Sequence, residues 1–328
     1  MTGRMAGMDR PTPLTIIGGF LGAGKTTLLR RILAEPEGRR LGVAINDFGA
    51  LNIDELLVAG RSGPVVSLAN GCVCCQIGDS LIDALFAMRN AAQPPDGIVV
   101  EASGVADPGK IAQLGRIGRF FRLNSIAVVV DADNVLSQAA DPLLSDTMLR
   151  QLRAADLLLL NKIDLVDDNA LRAIERWLAA IVPDHRAIKC VNAAVPVRLV
   201  LDDQSPSLDG GVAGLAAHDH ADSHEHARHQ HHGDVFWSWS YQSTRSFGRS
   251  ALLAVVAALP SQIIRGKGIL ICSDQPARQT VLHLVGRRVE LSAGEPWHEA
   301  PSSRLVLIGV GQDIDGAALT QAFNSALR

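Results

Sequence analysis

The sequence lacks the features expected of a membrane protein or a nucleic-acid-binding protein. No uncharged apolar run approaches the roughly 20 residues that span a bilayer, and the first dozen residues contain no apolar stretch typical of a secretory signal. Neither sign of charge dominates, because 31 basic residues stand against 34 acidic ones. We therefore expect no membrane partner and no nucleic-acid partner.

Cysteine is also scarce, with five residues among 328. Without a secretory signal, we expect a cytoplasmic location, where the reducing setting disfavours disulfides and clustered cysteines more often bind metal or act in catalysis. Three of the five cysteines nevertheless fall together in the stretch GCVCC, which raises the question of what they do there.

Short apolar runs alternate with helix-spaced apolar patterns through the first 200 residues. The runs LTIIGGF, LGVAIND, VVSLANG, GIVVEAS, SIAVVVDAD, ADLLLLNK and AIKCVNA are typical of strands buried on both faces. Alternation of such strands with helices predicts an α/β fold, a doubly wound and mostly parallel sheet. We assign residues 1–12 to a flexible N-terminus and residues 13–200 to this domain.

The composition changes after residue 200. Residues 201–234 are rich in Gly, Asp, Ser and His and show no core pattern, which predicts a linker. Beyond it, VFWSWSYQS, GKGILICSD, TVLHLVG, RRVELSA and SRLVLIGVG read as strands, and SFGRSALLAVVAALP and DIDGAALTQAFNSAL read as helices. Residues 235–328 are therefore predicted to form a smaller α+β domain.

The stretch GGFLGAGKTTLL contains G-x-x-x-x-G-K-T between a predicted strand and a predicted helix, which indicates a phosphate-binding loop. Its glycines allow backbone N–H groups to turn toward phosphates, and the helix N-terminus adds positive potential. Lys25 would pair with the β- and γ-phosphates, and Thr26 would bind Mg²⁺. The alternative is a glycine-rich turn that only ends a strand. The predicted nucleotide contacts here are Gly19, Gly22, Ala23, Gly24, Lys25, Thr26 and Thr27.

A second nucleotide signal is LLLLNKID, in which Asn161, Lys162 and Asp164 follow a predicted strand. N-K-x-D resembles the guanine-reading motif of GTPases, because a carboxylate at Asp164 can accept hydrogen bonds from both N1–H and the 2-amino group of guanine. The alternative is a solvated helix cap. Asn192 and Ala193, at the end of the next strand, would complete the base pocket.

Two acidic residues end other predicted strands. Glu101 lies where many phosphate-loop enzymes place an acidic residue associated with Mg²⁺, and Asp47 would sense metal or phosphate. Gly104 would approach the γ-phosphate through its N–H. A solvated strand end is the alternative for both acids. We assign the catalytic roles to Lys25, Thr26, Glu101 and Asp47.

Taken in order, GGFLGAGKTTLL, NDFG, GCVCC, EASGVADP and NKID resemble the CobW family of metal-linked GTPases, and LPSQIIRGKGILICSD with SRLVLIGVG resembles the family's C-terminal domain. The resemblance implies GTP and GDP binding with Mg²⁺, slow hydrolysis, and delivery of a transition metal to a client. Members serve zinc homeostasis, cobalamin synthesis or maturation of metalloenzymes such as nitrile hydratase. Where the family commonly has N-E-F-G-E, this chain has Asp47 and Ala50, which puts an accessory metal site of relatives in doubt.

The GCVCC stretch is predicted to bind one Zn²⁺ or Co²⁺ ion through Cys72, Cys74 and Cys75. Three thiolates suit such metals and leave a coordination position open, which favours transfer over a closed structural site. A thiol redox pair and an inert core segment are the alternatives. Cys190 and Cys272 lie in apolar strands and are predicted to be buried and inert.

The linker holds seven of the ten histidines, which would collect metal as an auxiliary reservoir. The alternative is a solvated low-complexity segment without that role. The residues concerned are His218, His220, His224, His226, His229, His231 and His232.

These features predict a GTP-hydrolysing metallochaperone that carries zinc and delivers it to a client metalloprotein. GTP and Mg²⁺ would order segments around Asp47 and Glu101, which would set the geometry of the cysteine loop. A nucleotide-dependent homo-oligomer is a further expectation. The alternatives are cobalt delivery for cobalamin synthesis or nitrile hydratase maturation, a passive zinc buffer, and a small-molecule kinase, against which NKID argues.

Overall fold

The structure is a computed structural model that describes residues 11–45, 65–67, 77–115, 120–183, 187–201, 236–311 and 315–328, with backbone alone for 65–67 and 77–80. The chain divides into two compact units, Met1–Asp202 and Asp203–Arg328. Among the described helices, none has the length and apolar character needed to cross a membrane.

The first unit contains a parallel sheet of seven strands in the order β3-β2-β4-β1-β5-β6-β7. All eight positions of the first strand are buried, which explains its continuous apolar run. The predicted doubly wound, mostly parallel fold is confirmed. The strands are β1 (Thr12–Gly19), β2 (Leu41–Ile45), β3 (Val65–Ser67), β4 (Gly97–Glu101), β5 (Phe121–Asp131), β6 (Leu157–Asn161) and β7 (Ala187–Lys189).

Helices alternate with most of these strands along the chain, and buried helix residues such as Leu85, Leu152 and Leu178 join strand residues in an apolar core. Two helices begin at aspartate caps, since Asp107 accepts from the Gly109 N–H and Asp167 accepts from the Ala170 N–H, both at 2.8 Å. The helices are α1 (Lys25–Ala34), α2 (Ile77–Arg89), α3 (Pro108–Leu114), α4 (Val135–Ala140), α5 (Ser145–Ala154), α6 (Asp168–Ile181) and α7 (Val197–Val200), with a 3₁₀ turn at Ile163–Leu165.

The sheet register determines where polar residues meet. Glu101 at the end of β4 pairs with Ile17 of β1, and Asp131 at the end of β5 pairs with Asn161 at the end of β6. Because the strands are parallel, their carboxyl ends lie at one edge of the sheet, together with the loop that follows Gly19. Ligands of such sheets bind at this edge.

The second unit contains an antiparallel sheet of five strands in the order β11-β10-β9-β12-β8. Its core includes a cluster of aromatic rings, in which Phe323 lies 5.5 Å from Trp239 and 5.7 Å from Tyr241 between ring centroids. A smaller α+β unit is therefore confirmed. Its elements are β8 (Phe236–Ser243), α8 (Arg249–Ala257), β9 (Ile263–Leu270), β10 (Arg278–Val285), β11 (Arg288–Pro296), β12 (Ser303–Val310) and α9 (Gly316–Ser325).

Candidate nucleotide site

The loop between β1 and α1 has a backbone that only glycine accommodates at two positions. Gly19 and Gly24 have φ angles of 132° and 113°, which L side chains rarely adopt. A Cβ at Gly19 would lie 2.3 Å from the Val129 carbonyl oxygen, and one at Gly24 would lie 2.5 Å from Asn161 Nδ2. The sequence pattern thus folds as a tight loop that opens directly into a helix.

The first turn of α1 presents backbone N–H groups at this loop, and no described side chain caps it. These N–H groups and the positive end of the helix form an anion-binding environment. Lys25 is 9% exposed, and its ammonium group donates to the Phe20 carbonyl at 3.2 Å. The lysine therefore lies folded back along the loop in which phosphates would bind.

Thr26 and Glu101 lie together, as the sequence analysis requires of two residues associated with one cation. The Thr26 hydroxyl donates to Glu101 Oε1 at 2.7 Å, and Glu101 is 4% exposed at the end of β4. A hydroxyl and a carboxylate are hard oxygen donors of the kind that Mg²⁺ prefers. This pair fits the divalent cation that accompanies a nucleotide.

The turn that follows β4 contacts the phosphate loop directly. A Cβ at Gly104 would lie 2.6 Å from Leu21 Cδ2 and 3.0 Å from the Leu21 backbone nitrogen. The Gly104 carbonyl accepts a hydrogen bond from the buried side chain of Gln151 at 3.0 Å. Sequence reasoning missed Gln151, and its only signal was a polar residue on the apolar stripe of α5.

Asn161 connects the phosphate loop to the loop after β7. Its Nδ2 donates to the Ala23 carbonyl at 2.9 Å, and its Oδ1 accepts from the Ala193 N–H at 2.8 Å. Asn161 is 2% exposed, so its side-chain amide lies inside the edge and holds the two loops at a fixed spacing.

The turn that contains Asp164 begins at Lys162, which has a φ angle of 63°. The Lys162 ammonium group donates to Asp131 Oδ2 at 2.6 Å, and that carboxylate is 3% exposed. Asp164 itself lies exposed at the edge. Asp131 was missed in the sequence analysis because its partner lies 31 residues further along the chain.

The loop after β7 places two consecutive residues in the left-handed region, Asn192 at φ 51° and Ala193 at φ 53°. Such backbone is costly for residues other than glycine and persists where neighbours hold it. Arg31, in the last turn of α1, donates to the Asn192 carbonyl at 2.7 Å. The structure thus brings both residues to the edge that carries Asp164.

The remaining predicted site residues lie outside the described residues. They are Asp47, Cys72, Cys74, Cys75, His218, His220, His224, His226, His229, His231 and His232.

Within the described ranges, no group of three or more His, Cys, Asp or Glu residues is placed to hold a metal ion. Cys190 and Cys272 are buried free thiols, as predicted, and burial raises the pKa of the Cys272 thiol.

Two family models match the chain along most of its length. The model of the CobW/HypB/UreG nucleotide-binding domain matches residues 13–189, and the model of the cobalamin synthesis protein cobW C-terminal domain matches residues 236–327. The chain belongs to the CobW family. The resemblance found from GGFLGAGKTTLL, GCVCC and NKID is thereby confirmed.

Several curated relatives of this CobW-family chain carry names related to zinc. The zinc chaperone CobW of Pseudomonas aeruginosa is 32% identical, over 96% of this chain and 91% of its own length. The zinc chaperone YjiA of Escherichia coli K12 is 28% identical, over 92% and 94%. The zinc-regulated GTPase metalloprotein activator 1 of Schizosaccharomyces pombe is 36% identical, over 52% and 44%.

Solved structures that match the chain include the Zn(II)-bound YjiA GTPase from Escherichia coli, at 24% identity and a TM-score of 0.41, covering 97% of this chain and all of that one. HypB from Helicobacter pylori in complex with nickel is 16% identical with a TM-score of 0.37, covering 57% and 81%.

Proposed function

We propose that this protein hydrolyses GTP and acts as a metallochaperone that carries zinc to a client metalloprotein. The observation that supports it most directly is the meeting of a phosphate loop and an N-K-x-D turn at one sheet edge, joined by the Asn161 side chain. Zinc is proposed as the metal because relatives of this chain are named zinc chaperones. The scarcity of cysteine, with five residues among 328, supports a cytoplasmic location, where thiols stay reduced.

The phosphate half of the site would act on the β- and γ-phosphates. Lys25 would leave the Phe20 carbonyl and compensate phosphate charge as it develops in the transition state. Thr26 and Glu101 would hold Mg²⁺, Thr26 through its hydroxyl and Glu101 through its carboxylate. When bound, this cation supplies charge neutralisation at the phosphates. Gly104 would direct its N–H at the γ-phosphate.

The base half of the site would select guanine. Asp164 is exposed at the edge and can accept from N1–H and from the 2-amino group, a pair of donors that adenine does not present. Asn192 and Ala193 would border the base from the loop after β7. Selection of guanine distinguishes this function from that of a small-molecule kinase that uses ATP.

We assign the metal to Cys72, Cys74 and Cys75, and the histidines of residues 218–232 to an auxiliary reservoir. Support comes from the strand that precedes the cysteines, because β3 ends at Ser67 beside Ile45, which also neighbours Glu101. The chain therefore leaves the sheet toward the cysteines at the same edge as the nucleotide residues. Asp47, which follows the end of β2 at Ile45 by two positions in the sequence, would respond to the nucleotide.

A second candidate is cobalt delivery, which the description of the C-terminal family model favours because it names cobalamin synthesis. The cysteine ligands suit either metal. We also propose that a client metalloprotein receives the metal and that the chain forms a homo-oligomer in a nucleotide-dependent way.

The test uses the purified full chain loaded with one equivalent of Zn²⁺ or Co²⁺, with a fluorescent metal chelator as acceptor. We expect transfer to differ between GTP, GDP and a non-hydrolysable GTP analogue, and the tight metal to be lost when the three cysteines are changed to serine. Calorimetry should show preference for GTP over ATP. Equal affinity for both nucleotides would overturn the GTPase assignment, and transfer independent of nucleotide would leave a passive buffer.

A further inference from the structure

Gln151 is a buried polar side chain to which the proposed function gives no role. It is 1% exposed and lies on α5 beside the buried residues Met148 and Leu152. A polar group at such a position is costly unless it is hydrogen-bonded. The partners of its amide therefore indicate what the residue does.

Both partners belong to the turn that follows β4. Gln151 Nε2 donates to the Gly104 carbonyl at 3.0 Å and to the Ala106 carbonyl at 2.8 Å. The turn is closed by a third bond, from the Ala106 N–H to the Ser103 carbonyl at 3.0 Å. One side chain on α5 thus fixes two peptide planes of this turn.

The same turn also contacts β1 and the phosphate loop. The Ala102 N–H donates to the Ile17 carbonyl at 2.9 Å, and Gly104 packs so closely on Leu21 that a Cβ would overlap it. The turn is therefore held both by its contacts with β1 and the phosphate loop and by the Gln151 amide.

We infer that Gln151 is a positioning residue that sets the turn after β4 for sensing the γ-phosphate. The inference rests on the proposed function, in which the Gly104 N–H faces that phosphate. Without the two donors from Gln151, the Gly104 and Ala106 carbonyls would turn toward other partners and the Gly104 N–H would move with them. GDP has no γ-phosphate, so its affinity would not depend on this turn.

The experiment compares Gln151→Met with Gln138→Met in the full chain. Methionine keeps the length of glutamine and removes its donors. Gln138 on α4 lines the same small cavity as Gln151, beside Phe20 and Met148, and it makes no described hydrogen bond to the turn. Affinities for GDP and for a non-hydrolysable GTP analogue, single-turnover GTP hydrolysis and the thermal midpoint are measured for both variants.

For Gln151→Met we expect the affinity for the GTP analogue and the hydrolysis rate to fall about tenfold, with GDP affinity changed by less than about twofold. Gln138→Met should leave all three quantities within about twofold of the parent values. The inference would be overturned if Gln151→Met lost affinity for the GTP analogue and for GDP equally. It would also be overturned if the affinities and hydrolysis rate of Gln151→Met matched those of Gln138→Met. A parent protein that binds no GTP would instead overturn the proposed function.

A second variant covers the case in which Gln151→Met does not fold. Gln151→Glu retains a donor only while its buried carboxyl group is protonated, and burial raises the pKa of such a group. Discrimination between the GTP analogue and GDP should therefore recover as the pH falls. Discrimination that does not change with pH in Gln151→Glu would count against Gln151 as a positioning residue.

Discussion

The two halves of the nucleotide edge are built from different parts of the chain. The phosphate half consists mainly of backbone, with Gly19 and Gly24 in conformations that exclude a Cβ. The base half consists of side chains, because Asn161 spans two loops and Asp131 holds Lys162. Phosphate is a compact anion that N–H dipoles satisfy, whereas a base is distinguished by its pattern of donors and acceptors. Each half should therefore fail by a different kind of substitution.

The largest expected effect concerns Lys25, the side chain on which the backbone-built half depends. Lys25→Ala should reduce single-turnover GTP hydrolysis by about 10²–10³-fold, since it removes charge compensation in the transition state. The thermal midpoint should stay near that of the parent. Lys110→Ala, at an exposed position of α3, is the control and should hydrolyse GTP normally. A parent-like rate in Lys25→Ala would show that this loop is not the catalytic site.

The next effect tests the side-chain-built half. Asp164→Asn should weaken GTP by about 10²-fold, because two hydrogen bonds to a charged acceptor are disrupted. The asparagine amide can donate to the 2-oxo group of xanthine. Xanthosine triphosphate should therefore bind more tightly to Asp164→Asn than to the parent protein. Titration calorimetry with both nucleotides measures the exchange, and Asp168→Asn in the exposed first turn of α6 is the control. Unchanged base preference would remove Asp164 from the base pocket.

A third prediction separates two effects of adding a Cβ in the phosphate half, steric overlap with a neighbouring side chain and strain from a positive φ angle. Gly24→Ala combines a φ of 113° with a Cβ at 2.5 Å from Asn161 Nδ2, whereas Gly38→Ala has a φ of 76° and open space. We expect the free energy of unfolding to fall by about 2–3 kcal/mol for Gly24→Ala and by about 1 kcal/mol for Gly38→Ala. Thermal unfolding and GTP binding of both variants measure this difference. Equal losses would mean that overlap at Gly24 does not matter.

The smallest prediction concerns the ion pair in the base half. Asp131→Asn keeps the shape of the side chain but removes the charge that holds Lys162, and GTP affinity should fall about fivefold to tenfold. The loss should be modest because the Lys162 side chain is 31% exposed and solvent screens the ion pair. Asp133→Asn changes an exposed neighbour in the same turn and should have little effect. If the two variants bind GTP with equal affinity, the ion pair between Asp131 and Lys162 does not contribute to nucleotide binding.

Local signals in the sequence were sufficient for much of the fold and for the phosphate loop. Apolar runs bounded by glycine or polar residues predicted the sheet strands, because strands buried on both faces are almost wholly apolar. β5 begins at Phe121, four residues before the predicted start. Polar residues obscured this extension, and Asn124 is tolerated there because it donates to Thr15 Oγ1 at 2.8 Å and to the Val200 carbonyl at 2.9 Å.

Residues whose roles depend on distant partners were not predictable from the sequence. Asp131 binds Lys162, and Gln151 binds the turn at Gly104, which lies 47 residues earlier in the chain. Neither position carries a motif, because only the folded sheet edge brings the partners together. The assignments of Asp47, of the three clustered cysteines and of the seven histidines stay predictions, since they fall outside the described residues.

The chain leaves the first unit shortly after Val200, at a distance from the nucleotide edge. The Val200 carbonyl accepts from Ser125 Oγ at 2.7 Å near the start of β5, six residues before Asp131. That contact lies about 20 Å from the nucleotide edge at the rise of a strand. Lengthening a connecting segment costs only about 0.6 kcal/mol per doubling. Insertions or deletions within residues 202–235 would therefore change the chain about 20 Å from the nucleotide edge, and we expect them to leave nucleotide affinity unchanged.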